Sequence, residues 1–347
     1  MKQMSQVMVS VVMSVYNGEQ YVEETIKSVL AQTYQNWEMI IVNDASTDRT
    51  AEILELYEKN DTRIKVLTNK TNKKLPASLN YGISNAKGKY IIRVDADDIC
   101  VKTRFEKQVD FMEKHPEVTH SWGLFYEMSN GIIRNGITTF SVSYEHTKAS
   151  LLLFGLVNHS GVIMKRSLFD TYAYEPEYTI SEDLKLWLEI LEKNKMQGMR
   201  DYVTVYRKHE GQATNEKNRM RQQEQVKKIL SNHFHKIKWN ISNDIFAFHM
   251  NLIYGTDMVD CETFLNWCRE LIEENKKNQW CKESALKYLY LWKLDELCRN
   301  KRLTMMRALR LANRISVGSA CWYMLRKIFT AFVDIYYQRK GRKELEF

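Results

Sequence analysis

The chain contains 347 residues, of which 44% are hydrophobic and 27% are charged, and its formal net charge at pH 7 is +8. This composition is typical of a globular protein, and the length excludes a small scaffold that depends on disulfides for stability. Residues 1–215 carry a net charge of −2, whereas residues 216–347 carry +10. Because the two parts differ so strongly in charge, we expect two regions with different partners, 1–215 and 216–347.

The first half of the sequence predicts strands and helices in alternation. The run at 7–15 is largely apolar and rich in β-branched residues, which is typical of a strand buried on both faces. The elements expected after it are a helix at 22–30, strands at 37–42, 64–67 and 90–94, and helices at 51–59 and 75–86. This alternation predicts an α/β fold with a doubly wound, mostly parallel sheet.

Two polar loops follow strands of this predicted sheet. Residues 43–48 come after the second strand, and residues 95–98 come after the strand at 90–94. Ligands of doubly wound sheets bind at the carboxyl ends of the strands. We therefore expect both loops on one edge of the sheet, at a ligand site.

The sequence changes in character near residue 216. From there apolar residues recur every three or four positions, proline is absent and glycine is scarce, which predicts a helical region. Its last part, residues 299–347, has 12 Lys and Arg against 3 Asp and Glu. It also carries an apolar stripe that consists of Cys321, Leu325, Ile328, Phe329, Phe332 and Tyr336. A basic amphipathic helix of this kind binds a membrane surface, or packs on its own domain or on a second subunit.

Three carboxylates occur within four residues in the loop Asp95-Ala96-Asp97-Asp98. They repel one another unless a cation offsets their charge, and carboxylate oxygens suit Mg²⁺ or Mn²⁺ shared with a diphosphate. The alternative is a solvated acidic loop. The sequence lacks a Walker A loop and a G-x-G-x-x-G motif, and the acidic run comes too late for a haloacid-dehalogenase phosphatase. What remains is nucleotide-sugar chemistry, either glycosyl transfer or nucleotidyl transfer.

An ordered set of short motifs spans residues 7–215. It consists of Val11-Val12-Met13-Ser14-Val15-Tyr16-Asn17-Gly18-Glu19, Ser28-Val29-Leu30-Ala31-Gln32-Thr33-Tyr34, Ile41-Val42-Asn43-Asp44-Ala45-Ser46-Thr47-Asp48, Leu79-Asn80-Tyr81-Gly82-Ile83, Gly88-Lys89-Tyr90-Ile91-Ile92-Arg93-Val94-Asp95-Ala96-Asp97-Asp98, Phe105-Glu106-Lys107-Gln108-Val109, Glu182-Asp183 and Tyr206-Arg207-Lys208-His209. In this order and spacing the set resembles the family 2 inverting glycosyltransferases of bacterial polysaccharide biosynthesis. The resemblance implies the GT-A fold, a Rossmann-like sheet flanked by helices, with a nucleotide-sugar donor and Mn²⁺ or Mg²⁺ as cofactor.

The resemblance places the donor at the strand ends. It implies that Tyr16 and Asp44 receive the nucleotide base and ribose. From the residues alone, these two would be a strand-end aromatic and a helix cap. Asp95 is implied to lie near the ribose and Asp97 on the metal, with Asp98 in support.

Further donor-site residues follow from the same resemblance. Arg93 would hold the carboxylates in place, and Arg207 would neutralise phosphate charge. Lys74 stands where the family usually has glycine or a basic residue, and it would contact the nucleotide. His209 would bind the metal, although a single histidine is more often structural. His159 would line the sugar or acceptor pocket, with a core histidine as the alternative.

The resemblance also implies a general base, Asp183, that takes the proton of the acceptor hydroxyl. Glu182 would help to position the acceptor. The alternative is that Ser181-Glu182-Asp183 simply begins a helix, since a cap followed by acidic residues is a good helix start. From the residues alone the two interpretations stay open.

The sequence therefore predicts a metal-dependent inverting glycosyltransferase that moves a sugar from UDP to a glycan or lipid-linked acceptor. The alternatives are a sugar-nucleotide nucleotidyltransferase and an inactive glycan- or nucleotide-binding module. The six cysteines include no C-x-x-C pair, which favours a reducing compartment. We expect a cytoplasmic protein, peripheral on the inner face of the membrane through its basic C-terminal helices. No nucleic-acid partner is expected, and an oligomer stays open.

Overall fold

The computed structural model describes residues 8–136, 142–153, 157–212 and 218–315. The strands of these residues are β1 (Val9–Val15), β2 (Trp37–Asn43), β3 (Ile64–Thr68), β4 (Tyr90–Arg93), β5 (Ile99–Cys100), β6 (Val118–Ser129), β7 (Ile132–Asn135), β8 (Val162–Lys165) and β9 (Lys195–Lys208). Their α-helices are α1 (Val22–Leu30), α2 (Thr50–Asn60), α3 (Lys74–Ser84), α4 (Arg104–Lys114), α5 (Tyr144–Leu151), α6 (Glu182–Ile190), α7 (Arg219–Lys236), α8 (Asn243–Tyr254), α9 (Cys261–Asn278), α10 (Glu283–Arg299) and α11 (Met305–Ile315).

The chain forms two compact units. The first contains the described residues of 8–136 and 157–218, with all the strands, and the second contains those of 142–153 and 219–315. The boundary predicted between residues 215 and 216 stays a prediction, because α5 precedes it in sequence but belongs to the second unit. The apolar stripe predicted between residues 317 and 337 lies outside the described residues.

The sheet of the first unit has the strand order β3-β2-β1-β4-β8-β6-β9-β5, with β7 paired to β6. β1 pairs in parallel with β2 and β4, and β2 pairs in parallel with β3. β8 is antiparallel to both β4 and β6, whereas β6 and β9 are parallel. The α/β class and the elements predicted in the first half are confirmed. The sheet is parallel up to β4 and mixed beyond it.

β1 is buried on both faces, as its apolar run predicts. Val11 and Met13 belong to an apolar cluster with residues of α1, α2 and α4. Val12 points to the opposite face, as successive side chains of a strand do. There α3 approaches so closely that a Cβ on Gly82 would lie 2.7 Å from Val12 Cγ1. Helices on both faces thus leave the carboxyl edge of the strands as the accessible part.

The second unit is helical in all its described residues, which confirms the prediction for the region after 216. A buried histidine joins three of its helical segments. His249 Nε2 donates to the carbonyl of Leu152 at 2.6 Å, and its Nδ1 accepts from Trp267 Nε1–H at 3.0 Å. Burial lowers the pKa of His249 to about 4, so the ring is neutral and both nitrogens are used. Within the described residues no helix is both long enough and apolar enough to cross a membrane.

Candidate active site

The carboxyl ends of β1, β2 and β4 lie side by side. The N–H of Asp44, just after β2, donates to the carbonyl of Val15 at the end of β1, at 2.8 Å. The N–H of Val94, just after β4, donates to the carbonyl of Val12 at 3.1 Å. Both polar loops singled out in the sequence therefore leave the same edge of the sheet, as expected.

The acidic loop after β4 forms a compact carboxylate cluster. One oxygen each of Asp95, Asp97 and Asp98 lies within 4.8 Å of the others. Asp98 is fully buried, and its Oδ1 accepts from the N–H of Arg207 at 3.0 Å, while its Oδ2 has no hydrogen-bond partner in the described residues. Burial, followed by the charges of Asp95 and Asp97, raises the pKa of Asp98 well above its usual value. The cluster is therefore short of positive charge.

Two cationic or polar side chains face this cluster. Arg93 is buried and forms an ion pair with Asp95. His209 Nε2 lies 2.8 Å from Asp97 Oδ2, and its Nδ1 accepts from the N–H of Gly211 at 3.2 Å. Because Nδ1 accepts, the ring proton lies on Nε2 and points at Asp97. The structure thus brings Arg93 and His209 to the acidic loop, where the sequence analysis expected them.

Arg207 supports the same loop. Its Nε donates to the carbonyl of Asp97 at 2.9 Å, and its terminal nitrogen donates to Glu24 at 2.5 Å. The guanidinium also lies over the ring of Tyr21, 4.7 Å from the centroid. Arg207 therefore fixes the backbone of the acidic loop, and its predicted contact with phosphate stays a prediction.

The donor set fits a divalent cation. Carboxylate oxygens and a neutral imidazole are ligands of Mn²⁺ and Mg²⁺ sites, with the imidazole favouring a transition metal. The unpartnered oxygen of Asp98 and its raised pKa indicate an electrostatic deficit that such an ion would relieve. We assign Asp97, Asp95 and His209 as the candidate ligands, with Asp98 beneath them.

Asp44 holds the loop before α3 in place. Its carboxylate accepts from Asn69 Nδ2 at 2.7 Å and from the backbone N–H groups of Lys73 and Lys74 at 2.8 and 2.9 Å. It is only 2% exposed, whereas Tyr16 at the end of β1 is 51% exposed. The predicted base and ribose contacts stay predictions, but Tyr16 offers an open ring and Asp44 acts first on the 69–74 loop.

Lys74 has a backbone conformation that favours glycine. Its φ angle is +70°, which costs a residue with a Cβ about 1 kcal/mol or more. We expect Lys74→Gly to raise the free energy of unfolding by about 1 kcal/mol. The matched control is Lys73→Gly, because Lys73 is also exposed and bonded to Asp44 but has a φ of −92°. It should lower stability by about 0.5–1 kcal/mol. Urea denaturation tests this, and equal losses in both variants would contradict it.

The candidate base lies in the first turn of α6. Asp183 is partly exposed, and its Oδ1 accepts from the N–H of Leu184 at 2.7 Å. Partial burial, followed by the charge of Glu182, raises the pKa of Asp183 to about 6. Glu182 is only 4% exposed, and burial raises its pKa to about 7. The first turn therefore turns one carboxylate inward and the next one towards solvent.

His159 lies next to Glu182 and not in open space. Its Nε2 is 2.7 Å from the hydroxyl of Tyr174, and its Nδ1 is 3.4 Å from Glu182 Oε1. Burial, followed by the charge of Arg93, lowers the pKa of His159 to about 3. Both ring nitrogens are thus engaged by protein groups, and the predicted contact with a sugar or acceptor stays a prediction.

Comparison with known proteins identifies the family. The sequence matches the model of glycosyl transferase family 2 over residues 10–172. It is 38% identical over 200 residues to the putative glycosyltransferase EpsE of Bacillus subtilis, which covers 56% of this chain and 69% of EpsE. This chain belongs to glycosyltransferase family 2. A second relative of this glycosyltransferase is the UDP-Glc:alpha-D-GlcNAc-diphosphoundecaprenol beta-1,3-glucosyltransferase WfgD of Escherichia coli. The two are 31% identical over 193 residues, which cover 56% of this chain and 73% of WfgD.

Solved structures agree with the fold expected of a family 2 glycosyltransferase. S. aureus TarS 1–349 in complex with UDP-GlcNAc matches with a TM-score of 0.58 and 19% identity, over 96% of this chain and 92% of that chain. At this identity the likeness shows the fold alone. The predicted GT-A fold is confirmed.

Sequence reasoning missed several residues of the glycosyltransferase site. Ser160 Oγ accepts from the N–H of Asp95 at 3.1 Å, and Tyr21 stacks on His209 with ring centroids 4.6 Å apart. Ser160 lies in the segment 158–161, which had drawn attention only through His159. Tyr174 follows no periodic pattern, so its place beside His159 becomes visible only in the structure.

The buried carboxyl of Glu182 predicts a pH-dependent stability. Its folded pKa of about 7 lies above the unfolded value of 4.5, so the folded protein binds the proton more tightly. Stability from this group is present below pH 4.5 and is lost as the pH rises through 7. We expect Glu182→Gln to remove that loss, a gain of about 3 kcal/mol at pH 8 relative to pH 5.

The control for this prediction is Glu192→Gln, the same substitution at an exposed position just after α6. Urea denaturation at pH 5 and pH 8 measures the effect. A difference between Glu182→Gln and wild type that stays the same at both pH values would contradict the assignment.

Proposed function

We propose that this glycosyltransferase moves a sugar from a UDP-sugar to a glycan or lipid-linked acceptor, with inversion and with Mn²⁺ or Mg²⁺. The observation that carries the proposal is the charge-deficient carboxylate cluster at the carboxyl edge of the sheet, in the same unit as a partly exposed carboxylate. The relatives support the donor and acceptor classes. WfgD is named for transfer from UDP-Glc to a GlcNAc-diphosphoundecaprenol, and the TarS structure contains UDP-GlcNAc.

The reaction assigns a distinct role to each side of the site. Asp183 accepts the proton of the acceptor hydroxyl as its oxygen attacks the anomeric carbon opposite the leaving group. A carboxylate with a pKa of about 6 is ionised at neutral pH and still basic enough for this step. Asp97, Asp95 and His209 would hold the metal, which neutralises charge on the departing diphosphate when it is bound.

The donor is bound by the strand-end residues in this proposal. The exposed ring of Tyr16 packs against the base, and Asp44 keeps the 69–74 loop in the shape that receives the nucleotide. Lys74 at the end of that loop is exposed and positively charged, so it is available to the nucleotide. These contacts deepen the site without deciding the sugar.

The second unit is proposed to bring the enzyme to its acceptor. On α11, Arg307, Arg310 and Met306 are exposed, the last to 64%. Basic side chains beside an exposed apolar one favour an anionic membrane surface, where a lipid-linked acceptor lies. We propose a peripheral protein on the cytoplasmic face of the membrane, acting in cell-surface polysaccharide synthesis.

The test is a donor screen. The protein is incubated with UDP-, GDP- and dTDP-sugars and Mn²⁺, and the released nucleotide is identified. We expect UDP from at least one UDP-sugar, and loss of the release when the metal is chelated. Release of pyrophosphate, or of GDP or dTDP alone, would overturn the proposal, as would the absence of release with every donor.

A further inference from the structure

Tyr174 completes a buried chain of hydrogen bonds that ends on Glu182. Its side chain is 1% exposed, and its hydroxyl lies 2.7 Å from His159 Nε2. On the other side of the ring, His159 Nδ1 lies 3.4 Å from Glu182 Oε1. The order is therefore hydroxyl, imidazole and carboxylate, in one line of contacts.

The protons of this chain have one arrangement when Glu182 is ionised. The imidazole is neutral, since burial lowers the pKa of His159 to about 3, so it carries a single ring proton. An ionised carboxylate only accepts hydrogen bonds, so that proton must lie on Nδ1 and point at Glu182. Nε2 is then an acceptor, and the hydroxyl of Tyr174 donates to it.

The position of Tyr174 is fixed from outside the chain. The side chain of Asn80, on α3, donates to the carbonyl of Tyr174 at 2.7 Å and accepts from its N–H at 3.0 Å. The edge of the Trp187 ring packs against His159, with centroids 5.6 Å apart and planes at 83°. Backbone and ring plane are both held, so only the hydroxyl contact depends on the tyrosine side chain.

We propose that Tyr174 is a positioning residue for sugar transfer: through His159 it fixes the carboxylate of Glu182, and with it the first turn of α6 that carries Asp183. The proposal rests on the proposed function, in which Asp183 is the base. It also gives Glu182 a role different from the expected contact with the acceptor. Glu182 is an inward anchor, and Asp183 is the group that reaches the substrate.

The anchor is sensitive because Glu182 has little else to hold it. Its Oε2 has no hydrogen-bond partner among the residues that the structure describes. The nearby charges are those of Arg93, which stabilises the ionised form, and of Asp95 and Asp183, which oppose it. A buried carboxylate that loses its one ring donor is poorly compensated, so it moves towards other donors and displaces its turn.

The test compares two Tyr→Phe variants from the same segment. Tyr174→Phe removes the hydroxyl that faces His159, whereas Tyr172→Phe removes a hydroxyl that only accepts from Asn194, at 3.0 Å. We expect Tyr174→Phe to lower kcat by about 10²-fold, as displacement of a base does. The KM for the donor should change by no more than about twofold, because the donor site is untouched. Tyr172→Phe should match wild type.

A double-mutant cycle distinguishes this role from general support of the fold. In a His159→Phe background the chain is already cut, so Tyr174→Phe should cost less than about threefold in kcat. An equal loss in both backgrounds, or a Tyr174→Phe variant as active as Tyr172→Phe, would overturn the proposal.

A spectroscopic measurement needs neither activity nor a variant that folds poorly. Nitrogen-15 NMR of labelled histidine above the pKa of Glu182, about 7, should show His159 as the Nδ1–H tautomer. The Nε2–H tautomer would overturn the proposal. A wild-type protein that shows the Nδ1–H tautomer but transfers no sugar would refute the proposed function instead, so the two failures are distinguishable.

Discussion

Asp183→Asn is expected to lower the kcat of sugar transfer by about 10²–10⁴-fold, the contribution of a positioned general base. The amide has the shape of the carboxylate but cannot take up a proton at neutral pH. Its oxygen can still accept from the N–H of Leu184, as the Oδ1 of Asp183 does at 2.7 Å, so the start of α6 is retained. Nucleoside-diphosphate release in the presence of acceptor measures the loss.

The pH profile gives the same prediction a second readout. A base acts when it is ionised, and the pKa of Asp183 is raised to about 6. Wild-type kcat should therefore fall as the pH drops below about 6, and the residual activity of Asp183→Asn should lack this fall. Asp110→Asn is the control, because Asp110 is an exposed aspartate of α4 that pairs only with Lys114 among the described residues, at 2.7 Å. Full activity of Asp183→Asn would remove the residue from the role of base.

Asp97→Asn is expected to abolish the dependence of UDP binding on metal and to lower kcat by about 10²–10³-fold. Asp97 faces His209 Nε2 at 2.8 Å and lies within the cluster of three carboxylates. The asparagine oxygen can still accept from His209, so the local packing is preserved while one ligand charge is lost. Calorimetric titration with UDP, with and without Mn²⁺, measures the effect.

The same titration contains its own control. Wild-type protein and Asp110→Asn should both bind UDP more tightly when Mn²⁺ is present. Asp97→Asn should bind equally well in both conditions, near the affinity of wild type without metal. If Mn²⁺ still tightens UDP binding to Asp97→Asn by as much as in wild type, Asp97 is not a ligand.

Periodicity was sufficient to predict the first half of the fold. Its strands are short apolar runs and its helices have apolar residues on one face, so each element is specified by local sequence. The direction of the strands beyond β4 could not be predicted in this way. β8 runs antiparallel to both of its neighbours, an arrangement that depends on how a long chain segment returns to the sheet. No local pattern encodes that return.

The candidate site divides along the same line. Asp95, Asp97 and Asp98 follow a buried strand in sequence, so their meeting at the sheet edge could be predicted from the residues. The contact between Tyr174 and His159 joins two loops, and only the folded chain brings them together. The resemblance supplied Asp183 as a candidate base, but the inward turn of Glu182 required the burial of α6.

The place of α5 has a consequence for how this protein is made. The chain enters the helical unit at residues 142–153 and returns to it only at residue 219. During synthesis α5 leaves the ribosome before any of the helices that cover it, so its buried leucines must wait for them. A single cut after residue 215 would leave Leu151 and Leu152 without the partners that bury them. The catalytic region and the helical unit are therefore not separable by truncation, and we expect such a fragment to aggregate.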